Sequence, residues 1–233
     1  MTAPTTASNT SCALMFSGGR DSTIAALRLR NSFNDLILVT VTSEHLFGID
    51  RVHARLKELK SFLRPSTRWL HVIEPADLSK AGAFKAQTCL PCHHSYTILA
   101  FAVAAQCGAR AIAFGYAGYQ SHWPEQTPAA VERLNRIARA NGLSLFLPVY
   151  DISHKDDAVR TLEQYGLTTE ALEQKCLRQV NNVTLDDDGL RSELTVWEAA
   201  IRESLTSKSA LSLPIVTDIT LGEFRDNLFR GAS

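Results

Sequence analysis

The chain has 233 residues, 45% of them hydrophobic and 21% charged, and its 24 basic side chains balance 24 acidic ones to zero net charge. That length allows one full core with a small appendage, and the neutral balance excludes the broad basic footprint of a dedicated nucleic-acid binder. No apolar run reaches the length of a membrane span and the first ten residues lack the parts of a signal sequence, so a cytoplasmic protein without membrane contact is expected. In that reducing compartment the five cysteines are expected to be buried, metal-bound or catalytic rather than disulfide-paired.

Residues 1–10 are small, polar and Thr-rich, and a disordered tail is expected there. Cys12, an ordinary buried thiol, opens an apolar first strand that ends at Phe16. Ser17-Gly18-Gly19-Arg20-Asp21-Ser22 follows, and a helix-like segment runs on to Arg30. Adjacent glycines permit positive φ and leave room for a ligand against the main chain, so successive amides can turn toward one anion. The helix N-terminus adds free N–H groups and its positive dipole end. Ser17 and Ser22 bring hydroxyl donors, while Asp21 can cap the helix or hold a magnesium ion that phosphates also touch. The string suits pyrophosphate, yet it is not a Walker loop, because no Gly-Lys-Ser/Thr follows.

Leu36 to Val41 is a continuous apolar run, as expected for a parallel strand covered on both faces. Thr42-Ser43-Glu44 would form its carboxyl edge, where Thr42 is a candidate contact for adenine or ribose. Ile49 to Leu63 has a helical apolar stripe, with Arg51, Arg55, Lys57 and Lys60 expected on a solvated face. Pro65 ends it, Trp69 to Ile73 is a third strand, and His53 and His71 are expected to be surface or satisfied core histidines.

Cys89-Leu90-Pro91-Cys92-His93-His94 precedes a small-residue helix from Ser95 to Gln106. Two thiols two residues apart can reach one metal, and thiolates select zinc, copper(I) or iron–sulfur centres. His93 or His94 could complete a structural zinc site instead. Cys107 reads as packing, but Cys176 lies among polar neighbours, so Cys89, Cys92 and Cys176 are candidate ligands of a site with one open position. Cys176 could equally be a covalent thiol activated by Lys175 and Arg178. Ala111 to Phe114 is the fourth strand, and Gly115 and Tyr116 at its carboxyl end let backbone approach a nucleotide. Trp123 beside Pro124 anchors a loop or stacks on a heterocycle. Helix is expected over 127–140 and a fifth strand from Leu145 to Val149. Asp186-Asp187-Asp188 reads as a solvated loop before a helix from Leu190 to Leu205, and Ile215 to Phe229 as a final strand or helix.

Ser-Gly-Gly-x-Asp-Ser after the first strand resembles the signature of the PP-loop ATP pyrophosphatases. From Gly118 to Cys176 the order of features resembles the 7-cyano-7-deazaguanine synthases of queuosine biosynthesis, through Trp123-Pro124-Glu125, Pro148 to Ser153, Lys155, Tyr165-Gly166-Leu167 and Cys176. Those enzymes carry four cysteines near the C-terminus, whereas this chain has none after Cys176, and its C-x-x-C precedes the fourth strand as in iron–sulfur tRNA thiolases. The resemblance implies an α/β, Rossmann-like, adenine-nucleotide α-hydrolase fold. Its five-stranded, mostly parallel sheet would have the order 3-2-1-4-5, helices on both faces and a small helical C-terminal region. The expected division is a tail at 1–10, the ATP domain at 11–178 and a helical appendage at 179–233. The implied cofactors are ATP, Mg2+ and either zinc or an iron–sulfur cluster. Ser17, Gly18, Gly19, Arg20, Asp21, Ser22, Thr42, Gly115 and Tyr116 would hold ATP. Asp21, Lys155 and Cys176 would be catalytic, with Lys155 neutralising phosphate charge. The implied reaction adenylates a substrate oxygen, releases pyrophosphate and lets a nitrogen nucleophile displace AMP. The alternatives are a metal- or iron–sulfur-dependent sulfur transferase and, in another class, a non-catalytic nucleotide-binding module. A small-molecule acceptor is expected, tRNA is not favoured by the charge balance, and a homodimer is compatible.

Overall fold

The computed structural model describes residues 11–78, 84, 87–178, 183–207 and 213–225. The expected tail at 1–10 and the end of the last expected element lie outside the described residues. In chain order the elements are β1 (Ser11–Met15), α1 (Arg20–Leu29), β2 (Asp35–Thr42), β3 (Leu46–Phe47), α2 (Ile49–Leu59), β4 (Arg68–Ile73), α3 (Leu90–Cys107) and β5 (Ala111–Phe114). There follow α4 (Pro128–Ala140), β6 (Ser144–Phe146), α5 (Lys155–Gln164), β7 (Lys175–Cys176), α6 (Asp187–Ser207) and β8 (Ile215–Thr220).

The main sheet has the order β6-β5-β1-β2-β4-β8, so the five expected strands lie in the expected order and a sixth extends the β4 edge. The five pair in parallel, whereas β8 runs antiparallel to β4. The count of five is corrected by Ile215-Val216-Thr217-Asp218-Ile219-Thr220, whose β-branched residues favour a pleated edge. Arg68 and Asp218 clamp that edge through two hydrogen bonds of 3.2 and 2.6 Å. The C-terminal region is therefore helix plus edge strand rather than helix alone.

Side-chain alternation divides the core in two. Cys12, Leu14, Leu36 and Leu38 face α1, α2 and α5, while Ala13, Ile37, Val39 and Val41 face α3, α4 and α6. Both faces are covered, which is why β1 and β2 read as unbroken apolar runs. Across the sheet the buried Trp69 indole donates to Thr40 Oγ1 at 2.9 Å, and that hydroxyl donates to the Phe16 carbonyl at 2.8 Å. This fixes the end of β1 just before the glycine loop. Among the described residues no helix is long and apolar enough to cross a membrane.

Two boundaries bear on the site. The helix expected from Ser95 begins at Leu90, because Pro91 falls at the start of α3, where a missing N–H costs nothing. Cys92 and His93 thus stand on its first turn. The strand expected to reach Val149 stops at Phe146, as Pro148 can donate no ladder bond and the Tyr150 amide turns back to the Leu147 carbonyl at 3.2 Å.

Residues 168–174 form a strap of irregular chain against the glycine loop, and its carbonyls are met by arginines. Arg20 Nε donates to Thr169 O at 2.7 Å, Arg51 donates to Ala171 O and Glu173 O at 2.5 and 2.9 Å, and Arg55 donates to Thr168 O and Glu170 O at 2.9 and 2.7 Å. Arg51 and Arg55 therefore depart from the expected solvated face. Arg55 is fully buried, and Glu58 at 2.5 Å offsets the burial that lowers its pKa. Removing this guanidinium would take away the donors of the Thr168 and Glu170 carbonyls and the ion pair of Glu58, which would keep only its bonds from Thr168. Arg55→Met is expected to cost roughly 3 kcal/mol in urea unfolding and to speed proteolysis within 168–174, whereas Lys57→Met on the same helix is expected to do neither.

Candidate active site

The glycine loop turns at Gly18, whose φ is +82° and whose Cα lies so close to the strap that an added Cβ would stand 2.8 Å from the Leu172 carbonyl oxygen. A side chain is therefore excluded there by both conformation and space. Gly19 is the N-cap of α1, and its amide donates to Ser17 Oγ at 3.2 Å. Ser17 Oγ and Ser22 Oγ lie 3.1 Å apart, and Ser22 Oγ also donates to the Gly19 carbonyl at 3.2 Å. Ser17, Gly19, Arg20, Asp21 and Ser22 line one cavity of about 400 Å3, into which the positive end of α1 opens.

Asp21 is held from outside its helix. The Tyr119 hydroxyl lies 2.9 and 2.7 Å from its two oxygens. Burial pushes the Asp21 pKa up to about 6, against lowering by the Tyr119 hydrogen bond and Arg20, with Glu173 adding to the rise. Burial, followed by the Asp21 charge, pushes the Tyr119 phenol well above its ordinary range. Gly115 is where β5 meets the loop: a Cβ there would stand 2.7 Å from the Ser22 amide nitrogen and 2.9 Å from Ser22 Cα. The bare Gly115 lets two backbones touch at the β1–β5 junction, where the sheet order turns about and α/β folds open a crevice.

The same cavity is lined by Cys89, Cys92 and Cys176. Cys89 caps α3, Cys92 sits in its first turn, and Cys176 arrives on β7, paired antiparallel with β3 through Leu46↔Cys176. Cys92 Sγ is 3.5 Å from His45 Nε2. Burial first, and then Cys89, Glu74 and Cys176 nearby, pushes the Cys92 thiol up to about 12. As placed, no three His, Cys, Asp or Glu side chains among the described residues are near enough to share one metal ion. The thiols share a cavity without being drawn onto a common centre.

His93, Tyr116 and Glu125 line the same cavity. His93 Nδ1 is 2.8 Å from the Tyr116 hydroxyl, and its Nε2 is 3.8 Å from Glu125 Oε1, a carboxylate only 3% exposed. Burial, opposed by Glu125, holds the His93 pKa below its usual value. Trp123 also lines the cavity.

Other expected residues are placed elsewhere. Thr42 lines a neighbouring cavity, with its hydroxyl donating to Gln174 Oε1 at 2.6 Å and lying 2.8 Å from His71 Nε2. Lys155, expected at the phosphates, is exposed at the start of α5 and is not among the cavity-lining residues. His94 is buried against Ser204 and the Ala200 carbonyl, which makes it a core histidine. Asp186 accepts from the Gly189 amide at 2.8 Å, as a loop at a helix start would. Tyr119, His45 and Glu173 were missed. Of these only Tyr119 left a signal, by its place in the glycine-containing segment after β5.

No protein-family model and no curated protein matches the sequence. Solved structures do match it. A 4-thiouridine synthetase, solved as an RNA complex with bound ATP, superposes with a TM-score of 0.59 at 17% identity over 89% of this chain and 55% of its own. The U34-tRNA thiolase NcsA from Methanococcus maripaludis, solved with its [4Fe-4S] cluster, superposes with a TM-score of 0.53 at 16% identity over 88% of this chain and 73% of its own. The likeness establishes that the chain shares its fold with these two structures. The chain spans about half the length of the synthetase.

Two outcomes follow from this geometry. A folded-state Asp21 pKa raised above the unfolded value means that the folded state binds the proton more tightly, so stability is lost as pH rises from about 4 through about 6. Asp21→Asn is therefore expected to raise thermal stability at pH 8, by roughly 1–2 kcal/mol, with little effect at pH 4. Gly115→Ala is expected to push the Ser22 amide aside and to cost roughly 1–3 kcal/mol in urea unfolding, while the circular-dichroism spectrum stays unchanged.

Proposed function

We propose that the chain is an ATP-dependent enzyme that adenylates an oxygen of its acceptor and transfers sulfur to the activated carbon. The observation that carries this reading is one cavity lined both by the glycine loop and by Cys89, Cys92 and Cys176. A nucleotide sensor needs the loop but has no use for three thiols beside it. The amides at the start of α1 and the Arg20 guanidinium bind the phosphates, and Asp21, steadied by Tyr119, orients the metal-bound nucleotide. The acceptor oxygen attacks the α-phosphorus, the bond to the β-phosphate oxygen breaks, and pyrophosphate leaves. A sulfur nucleophile then adds at the carbon, and AMP departs with the acceptor's oxygen.

Three thiols on one cavity have the donor chemistry of a thiophilic centre, and Cys89, Cys92 and Cys176 are the side chains that would hold it once drawn together. When bound, an iron–sulfur cluster on three thiolates supplies a coordination position for sulfide. The two similar structures favour sulfur over the nitrogen nucleophile of the deazaguanine synthases and make RNA an acceptor to test first. The nitrogen reading keeps one observation, the buried Glu125 of Trp123-Pro124-Glu125 facing the cavity.

Protein purified without oxygen is expected to show a broad visible absorption band and iron, which Cys89→Ser, Cys92→Ser and Cys176→Ser each diminish. With ATP and bulk tRNA, Cys176→Ser is expected to lose thiolated product by at least about tenfold while pyrophosphate release persists. Thiolation untouched by all three substitutions would refute sulfur transfer at this cavity. Pyrophosphate release driven only by ammonia and a heteroaromatic carboxylate would favour the nitrogen reading.

A further inference from the structure

The Glu173 carboxylate has no part in the reaction above, yet it stands where the phosphates must come. Its Oε2 is buried and has no hydrogen-bond partner among the described residues, and it lies 2.7 Å from where a Cβ on Gly19 would be. Its charge raises the pKa of both Asp21 and Tyr119, which places it within electrostatic reach of each. Glu173 lines the same cavity as Ser17, Gly19 and Arg20.

The main chain around it is fixed. Arg51 Nε donates to the Glu173 carbonyl at 2.9 Å, and Gln174 is tied on both sides, by its Nε2 to Val41 O at 2.9 Å and by its Oε1 to Thr42. The carboxylate cannot be withdrawn by shifting the strap without breaking these bonds. An arriving polyphosphate would therefore add charge to a recess already holding Asp21 and Glu173, where repulsion is less screened than in water.

We propose that Glu173 is a specificity-determining residue that bars uncompensated polyphosphate from the glycine loop, so that nucleotide enters only together with a divalent cation. The inference rests on the reading of this loop as the ATP site. It differs from a role for Glu173 as a ligand of that cation: a barrier weakens the binding of metal-free nucleotide, whereas a ligand strengthens the binding of the metal complex.

The test is equilibrium binding of ATP and of inorganic pyrophosphate to the full chain, in EDTA and in Mg2+, for the parent, Glu173→Gln and Glu173→Ala, with thermal melts confirming that each is folded. Glu173→Gln keeps the side chain's volume, and Glu173→Ala removes the group altogether. Metal-free ATP and pyrophosphate are expected to bind both variants about tenfold more tightly than the parent, with the Mg2+ complexes bound as before. A general structural effect would move both affinities together and leave their ratio unchanged, which would overturn the proposal. Weaker Mg2+–ATP binding with unchanged metal-free binding would overturn it in favour of a cation ligand. A parent chain that binds ATP in neither condition would refute the ATP reading itself, and the inference with it.

Discussion

Carbonyls in a stretch of chain with neither helix nor strand must find donors elsewhere, and those of Thr168, Thr169, Glu170, Ala171 and Glu173 find theirs on guanidinium groups. Arg20, Arg51 and Arg55 supply five such bonds, from the helices that precede and follow β2 in the chain and share one face of the sheet. The planar, permanently charged fork suits this task, since one arginine can reach two carbonyls without taking a proton out of the bargain. With the strap held there, Gly18 has its closest neighbour in Leu172 and the cavity has a wall. The same strap leads directly into β7 and so carries Cys176 toward the other two thiols.

The meeting of loop and thiols depends on topology as well as on the strap. Parallel strands deliver their connections to one edge, and the loop after β1 and the glycine after β5 come side by side at that edge. The early start of α3 then points its first turn, with Cys92 and His93, into the same space. Zero net charge over the whole chain conceals a local arrangement in which a helix dipole and Arg20 face two carboxylates. A composition average cannot register that opposition.

Much of the framework was legible because it rests on periodic patterns. Leu36 to Val41 and Ala111 to Phe114 could hardly be anything but covered strands, and the two glycines between β1 and α1 marked a tight turn into a helix. Arg55 was not legible: a guanidinium bound for water and one bound for buried carbonyls leave the same mark on a helical wheel. β7 has two residues and therefore no period, so the route by which Cys176 reaches the cavity lay beyond any pattern. Glu173 and Tyr119 are single residues whose importance comes only from what lies across from them. Lys155 shows a different limit, since its place in a family-like string suggested phosphate contact, whereas its side chain is exposed outside the cavity lining.

The contact between Gly115 and Ser22 means that the motif is not self-contained. Six residues from Ser17 to Ser22 keep their shape only beside a neighbouring strand end that presents bare backbone. Grafting the hexapeptide onto another α/β scaffold would therefore transplant half a site. The smallest portable unit is two adjacent strand termini, and the glycine on the second belongs to the sequence signature as much as the pair on the first.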